Sequence, residues 1–199
     1  MNKPLDKETL DLAMRSLAIR LEENGAEKVE IVVCGGAALI LTGKVPRTTK
    51  DVDIVALIRA ECLASPAPLP DALISAAREV AEDLGMDSSW LNNGPSSGEG
   101  GLFQMGLPQG FTDRLTSVTY GKCLRVHFSH RLDQIHFKLY ASADRGGYHI
   151  EDLQALDPNS DELESACRWC MTHDVSEGFR MVLIRLLKEL GYESVAERL

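Results

Sequence analysis

The sequence predicts an α/β (α+β) chain, with a small mixed sheet flanked by helices and a helical segment at the C-terminal end. Three observations point there. Short β-branched runs alternate with stretches of helical period as far as Ser129. A Gly35-Gly36 pair stands where one such run gives way to a helix. Beyond Ser129 only helical periodicity remains. The expected division is an α/β domain over residues 1–147 and a helical segment over 148–199, packed on it as one compact unit.

From the N-terminus, Leu10, Met14, Leu17, Ala18 and Leu21 form one helical stripe within residues 5–24, and Asn24-Gly25 supplies a stop. Val29–Cys34 reads as a buried strand from its β-branched content. Residues 37–41 form a short helix that ends near Gly43, and a second strand runs over about 51–57. Residues 62–70 carry three prolines and read as a connection. Pro70-Asp71 opens an amphipathic helix whose apolar face is Leu73, Ile74, Ala77, Val80, Ala81 and Leu84, closed by Gly85. Residues 92–110 hold six of the sixteen glycines and read as one long loop, either mobile or functional as a lid over substrate.

Gly121-Lys122 is a hairpin signal between strands at 117–120 and 123–129. In the second of these, Leu124, Val126 and Phe128 share one face, and Arg125, His127 and Ser129 share the other. Helices follow at 132–141, around Asp152, Leu153 and Leu156 as far as Asp157-Pro158, and at 160–172. Asp174 and Glu177 have the spacing of a capping box that leads into Val182, Leu183, Leu186, Leu187 and Leu190, with Gly191 as the stop.

Composition excludes several classes of function. The 199 residues are 44% hydrophobic, which rules out a disordered chain. A formal net charge of −9 lacks the electrostatic footprint of a broad, non-specific nucleic-acid binder. No apolar run approaches the ~20 residues that span a bilayer, and the first residues lack a signal-peptide core, so the cytoplasm is expected. Five cysteines show no disulfide framework. Cys167 and Cys170, with His173 beyond them, fit buried helical thiols better than a metal site, because a second C-x-x-C is lacking.

The chemistry concentrates between residues 35 and 53. Two glycines at a strand-to-helix turn let another group approach the backbone closely and leave helix N-terminal amides open to an anion. A tight turn against a neighbouring strand would need glycines as well. Asp51 and Asp53 lie two apart at the start of an apolar strand, so their carboxylates face the same side and repel unless a cation intervenes. Hard oxygen donors in a pair suit Mg²⁺. The alternative is that Asp51 ends a turn while Asp53 pairs with Lys50 or Arg47. The glycine pair and the acidic pair, joined by one short helix, would face one cleft suited to phosphoryl or nucleotidyl transfer.

Val33-Cys34-Gly35-Gly36-Ala37-Ala38-Leu39 and Arg47-Thr48-Thr49-Lys50-Asp51-Val52-Asp53-Ile54-Val55 resemble the Gly-Gly and h-D-x-D elements of the polymerase-β-like nucleotidyltransferase superfamily. The branch most similar is that of the AbiEii-type toxins. Downstream, Asp133 to Ala141 with Lys138 resembles that branch's D-L-I-x-x-K-L-x-A helix. Asp144-Arg145 and Glu151-Asp152-Leu153 resemble the R-D-x-x-D-L element that follows it. The resemblance spans about residues 28–156 and implies a small mixed sheet of nucleotidyltransferase type.

By this resemblance Gly35, Gly36, Thr49 and Lys50 bind the nucleotide, and Asp51 and Asp53 bind Mg²⁺ and carry catalysis. Lys138 approaches the triphosphate or the fold's own carboxylates. Active members usually carry a third carboxylate on a later strand. The strand at 123–129 offers Arg125, His127 and Ser129 there, with Asp113 before the hairpin and Asp133 after it. A two-ion site therefore lacks an identified third ligand.

Other residues have plainer readings. His127 is a general base or a hydrogen-bonded strand residue. Asp144 and Asp152 are helix caps and partners for Lys138 or Arg145, and Trp169 and Phe179 belong to the core of the terminal helices. Two functions follow. One is an Mg²⁺-dependent enzyme that moves an NMP from an NTP to a protein, an RNA end or a small molecule, with an antitoxin as partner if it is a toxin. The other is an inactive binding module on the same fold.

Overall fold

The computed structural model describes residues 4–43, 48–98 and 100–199. It is a mixed α/β structure that divides into two compact units, Met1–Ser129 and His130–Leu199. No helix among the described residues is long and apolar enough to cross a membrane.

The first unit holds the sheet. Helix α1 (Lys7–Glu23) begins at Asp6, whose Oδ1 accepts the Thr9 N–H at 2.8 Å, and buries the expected stripe of Leu10, Met14, Leu17, Ala18 and Leu21. β1 (Val29–Cys34) runs straight into α2 (Gly35–Leu41), so the glycine pair is the first turn of the helix itself. β2 (Val52–Arg59) returns antiparallel to β1. After β3 (Cys62–Ala64), helix α3 (Asp71–Leu84) ends on Gly85 in the left-handed conformation, as its sequence predicts. β4 (Leu91–Asn92) pairs parallel to the start of β2. α4 (Leu102–Met105), β5 (Thr116–Tyr120) and β6 (Leu124–Phe128) complete the unit.

Strand order is β3-β2-β1-β6-β5, with β4 off this path against β2. β1 therefore lies between an antiparallel neighbour, β2, and a parallel one, β6. The registers assign the faces. Ile31, Val33, Ile54, Val126 and Phe128 share one face, which is fully apolar and buried. Cys34, Asp53 and His127 lie on the other. A register shift between Val32 and Val33 sits just before the glycine turn.

Two segments of this unit differ from the sequence reading. Residues 62–70 were expected to be only a connection, yet β3 forms there, joined to β2 through Ala60 and Glu61 at φ 49° and 62°. Neither residue type advertises such a turn, so the hairpin carries no sequence signal. The glycine-rich stretch is not one long loop. It contributes β4, α4 and a 3-10 turn at Gly94–Ser96, and is tied down where Ser96 Oγ donates to the Val55 carbonyl at 2.8 Å and Asn93 Nδ2 to the Pro66 carbonyl at 2.8 Å. Gly101 is required there, because a Cβ would lie 2.6 Å from the Ser96 carbonyl carbon.

The second unit is helical: α5 (Arg131–Arg145), α6 (Tyr148–Ala155), α7 (Ser160–His173), α8 (Glu177–Glu189) and α9 (Glu193–Ala196). α8 starts later than the Asp174 capping box predicts. Ser176 is the N-cap and accepts the Phe179 N–H at 3.1 Å, while Asp174 accepts the Ser176 N–H at 2.8 Å. A hydroxyl two residues closer to the apolar stripe wins the cap. Cys167 and Cys170 are fully buried, and burial pushes the Cys167 thiol up to about 12, so both are packing groups. Trp169 is half-buried and meets the rings of Tyr140 and His173 at centroid distances of 6.1 and 4.0 Å.

Arg131 joins three helices of this unit. Its Nε donates to the Leu156 carbonyl at 2.8 Å, and its fork reaches the Glu162 carboxylate at 2.6 and 3.1 Å. Glu162 is also the third residue of a capping box with Asn159. The hydrogen bond from Arg131, opposed by partial burial, holds the Glu162 carboxyl below its ordinary value of 4.5. A depressed carboxyl stabilises the fold above its unfolded pKa and loses that contribution as pH falls through the folded one. Arg131→Leu is expected to cost about 1–3 kcal/mol at pH 7. Urea titrations should show the gap from wild type narrowing once the pH drops below the ordinary value of 4.5.

Candidate functional site

The chain turns from β1 into α2 at Gly35, which has φ +68°. A side chain is strained there on backbone grounds alone. It is also excluded by a neighbour, because a Cβ on Gly35 would stand 2.7 Å from Asp53 Oδ2. The carboxylate of Asp53 therefore rests against the bare backbone of the glycine turn. This contact is set by the sheet, since Cys34 and Asp53 are register partners across β1 and β2. The structure thus brings together one of the two glycines and one of the two aspartates that sequence alone singles out.

The remaining predicted residues are placed as follows. Gly36 is buried in the first turn of α2. Asp51 precedes β2 and is half-buried, and among the described residues no hydrogen bond or ion pair engages its carboxylate. Thr49 pairs with Leu5 through two backbone hydrogen bonds of 2.8 and 2.9 Å, which pin the segment before α1 beside the approach to β2. Its Oγ1 donates to the Asp51 carbonyl at 3.3 Å. Lys50 is exposed. Arg47, the alternative partner for Asp53, lies outside the described residues.

Lys138 belongs to the second unit, where its Nζ is 2.7 Å from Asp152 Oδ2 and both side chains are almost fully buried. The Tyr148 ring lies 5.7 Å from the same ammonium. The partnership of Asp152 with Lys138, and that of Asp144 with Arg145 at 3.1 Å, are the pairings read from the sequence. Asp133 is fully buried and accepts the His130 N–H in the capping box of α5.

The later strand on which the resemblance implies a third carboxylate is not next to β2. β6 lies on the far side of β1, and its polar residues are engaged there. Arg125 donates to Ser117 Oγ at 3.0 Å, and Ser129 Oγ donates to the Val33 carbonyl at 3.1 Å. His127 Nε2 is 2.9 Å from Glu30 Oε2, and Lys28 Nζ is 2.6 Å from the other oxygen. Burial raises the Glu30 carboxyl, but the hydrogen bonds with Lys28 and His127 outweigh it and hold the group below its usual value. The second neighbour of β2 at Asp53 is β4, and the residue opposite is Asn92. Nothing local in the sequence marks Asn92, because only a long-range parallel pairing puts it there.

The resemblance implies Mg²⁺, and two features bear on the fit. The Gly35 backbone leaves free the space that a Cβ would fill beside a carboxylate oxygen. The donors are two aspartates of hard-oxygen type, and no group of three or more His, Cys, Asp or Glu able to hold a metal occurs among the described residues. Mg²⁺ commonly takes one or two carboxylates and completes its shell with water and substrate phosphate. By donor type Asp51 and Asp53 suit one such ion with an incomplete protein shell, not a cage made by protein alone.

A family model described as nucleotidyltransferase of unknown function (DUF6036) matches residues 12–67. That stretch runs from α1 through β3 and contains Gly35, Gly36, Thr49, Lys50, Asp51 and Asp53. Over it, the chain is similar to a family of nucleotidyltransferase type. No curated protein and no solved structure matches the chain.

Proposed function

We propose that this chain transfers an NMP group from an NTP to an acceptor hydroxyl, with Asp51 and Asp53 holding one Mg²⁺ against the triphosphate. The observation that carries the reading is the approach of Asp53 to the bare Gly35 backbone within the stretch that resembles nucleotidyltransferases. In the reaction, the acceptor oxygen forms a bond to the α-phosphorus while the bond to the bridging oxygen of the β-phosphate breaks. Pyrophosphate leaves with that electron pair, and the hydroxyl proton passes to solvent. When bound, the metal supplies Lewis-acid stabilisation of the phosphate charge. The chain itself offers the glycine backbone, with Lys50 on the segment that leads to the aspartates as a cation for the phosphates. The acceptor is a protein side chain, an RNA end or a small molecule. The AbiEii-type likeness of α5 and α6 makes a toxin, with an antitoxin partner, the setting of this reading.

Labelled NTPs and Mg²⁺ test it. Wild type should transfer label to itself, to RNA or to a small acceptor, and Asp51→Ala and Asp53→Ala should each lower the rate by at least about a hundredfold. Equal rates in wild type and variants remove the proposal. The small donor set favours a second reading, an inactive module that binds nucleotide. Calorimetry would then show NTP binding that depends on Asp53, with no turnover on any acceptor.

A further inference from the structure

Two carboxylates leave most of a divalent ion's shell to be filled, and the registers of β2 name the side chains that flank Asp53. On the β1 side stands Cys34, a buried thiol and a poor match for a hard cation. On the β4 side stands Asn92, the direct parallel partner of Asp53. Neighbouring strands lie about 4.8 Å apart, and opposed residues share a face, so Asn92 is on the Asp53 face of the sheet. Its Oδ1 accepts the Gly94 N–H at 2.8 Å, which fixes the carboxamide without using both lone pairs of the oxygen. Gly94 leaves room around that oxygen, because a Cβ there would come within 2.9 Å of it.

We infer that Asn92 supplies the third oxygen of the cation site formed by Asp51 and Asp53, as a neutral donor. The inference rests on the function proposed above. Its consequence is electrostatic. Two carboxylates and an amide balance the charge of one divalent ion, whereas a third carboxylate would overbalance one ion and invite tighter or additional binding. On this basis the chain is a one-ion site because residue 92 is an amide.

Mn²⁺, titrated into the full chain without nucleotide and followed by electron paramagnetic resonance, tests the inference. Asn92→Asp keeps the acceptor for the Gly94 N–H and so preserves the local turn. It should tighten Mn²⁺ binding about tenfold or add a second equivalent. Asn92→Ala should weaken binding by about tenfold, with folding checked by circular dichroism. Asp53→Asn should abolish binding. An Asn92→Asp chain that binds no better, or an Asn92→Ala chain that binds as wild type, overturns the role of Asn92 while loss in Asp53→Asn leaves the proposed function standing. Wild-type chain that takes up no Mn²⁺, or uptake indifferent to Asp53→Asn, overturns the inference about Asn92, while the proposed function stands or falls separately by the labelled-NTP assay, in which nucleotide is present.

Discussion

Lys138→Met is expected to destabilise the second unit by about 3–5 kcal/mol, because it removes the cation that faces a buried carboxylate. Asp152 is 3% exposed and Lys138 is 5% exposed, and their charged atoms meet at 2.7 Å. The pair links α5 to α6, between which the chain turns at Gly146 and Gly147. Removing the ammonium leaves the buried Asp152 carboxylate without the cation that faces it at 2.7 Å, which costs free energy. Removing both charges is a different experiment. Lys138→Met with Asp152→Leu replaces the ions by apolar groups of similar bulk, a change that buried pairs commonly tolerate. Thermal and urea unfolding should therefore show a large loss in the single variant and a substantial recovery in the double. A single variant as stable as wild type would mean that the pair contributes nothing and that Lys138 is kept for another purpose.

Local signals account for what was legible in the sequence. α1 and α3 follow from apolar spacing and from stops at Gly25 and Gly85, and β1 from a run rich in β-branched residues. The turn at Gly35 was legible because only glycine suits a left-handed residue between a strand and a helix. Its partner was half legible. Asp53 stood out by residue type, but its approach to Gly35 depends on the antiparallel register and the shift at Val32–Val33. β3 escaped because Ala60 and Glu61 adopt turn dihedrals without the usual residues, and the packing of residues 92–110 escaped because glycine content alone suggested a loop. Asn92 was invisible for a topological reason. Order along the chain points to β6 for a third ligand, whereas β1 separates β6 from β2 and the two-residue β4 is the strand that lies beside Asp53. Pairings that close long loops leave no periodic trace in the segments they join.

Gly35→Ala should cost about 1–3 kcal/mol and remove the proposed nucleotide transfer as well, although it deletes no functional group. Two effects add. Alanine at φ +68° is strained, and its methyl would lie 2.7 Å from Asp53 Oδ2. The backbone conformation belongs to the strand–helix turn, so the carboxylate is the part that must move. A cycle with Asp53→Ala separates the terms. That substitution vacates the space the new methyl needs, so Gly35→Ala should cost less stability in the Asp53→Ala background than in wild type, leaving only the dihedral strain. Activity should not recover in the double variant, because the proposed ligand is then absent. Equal stability costs in both backgrounds, measured by urea denaturation, would show that Asp53 has room to yield. The glycine would then serve the turn alone, and the contact on which the functional reading rests would lose its force.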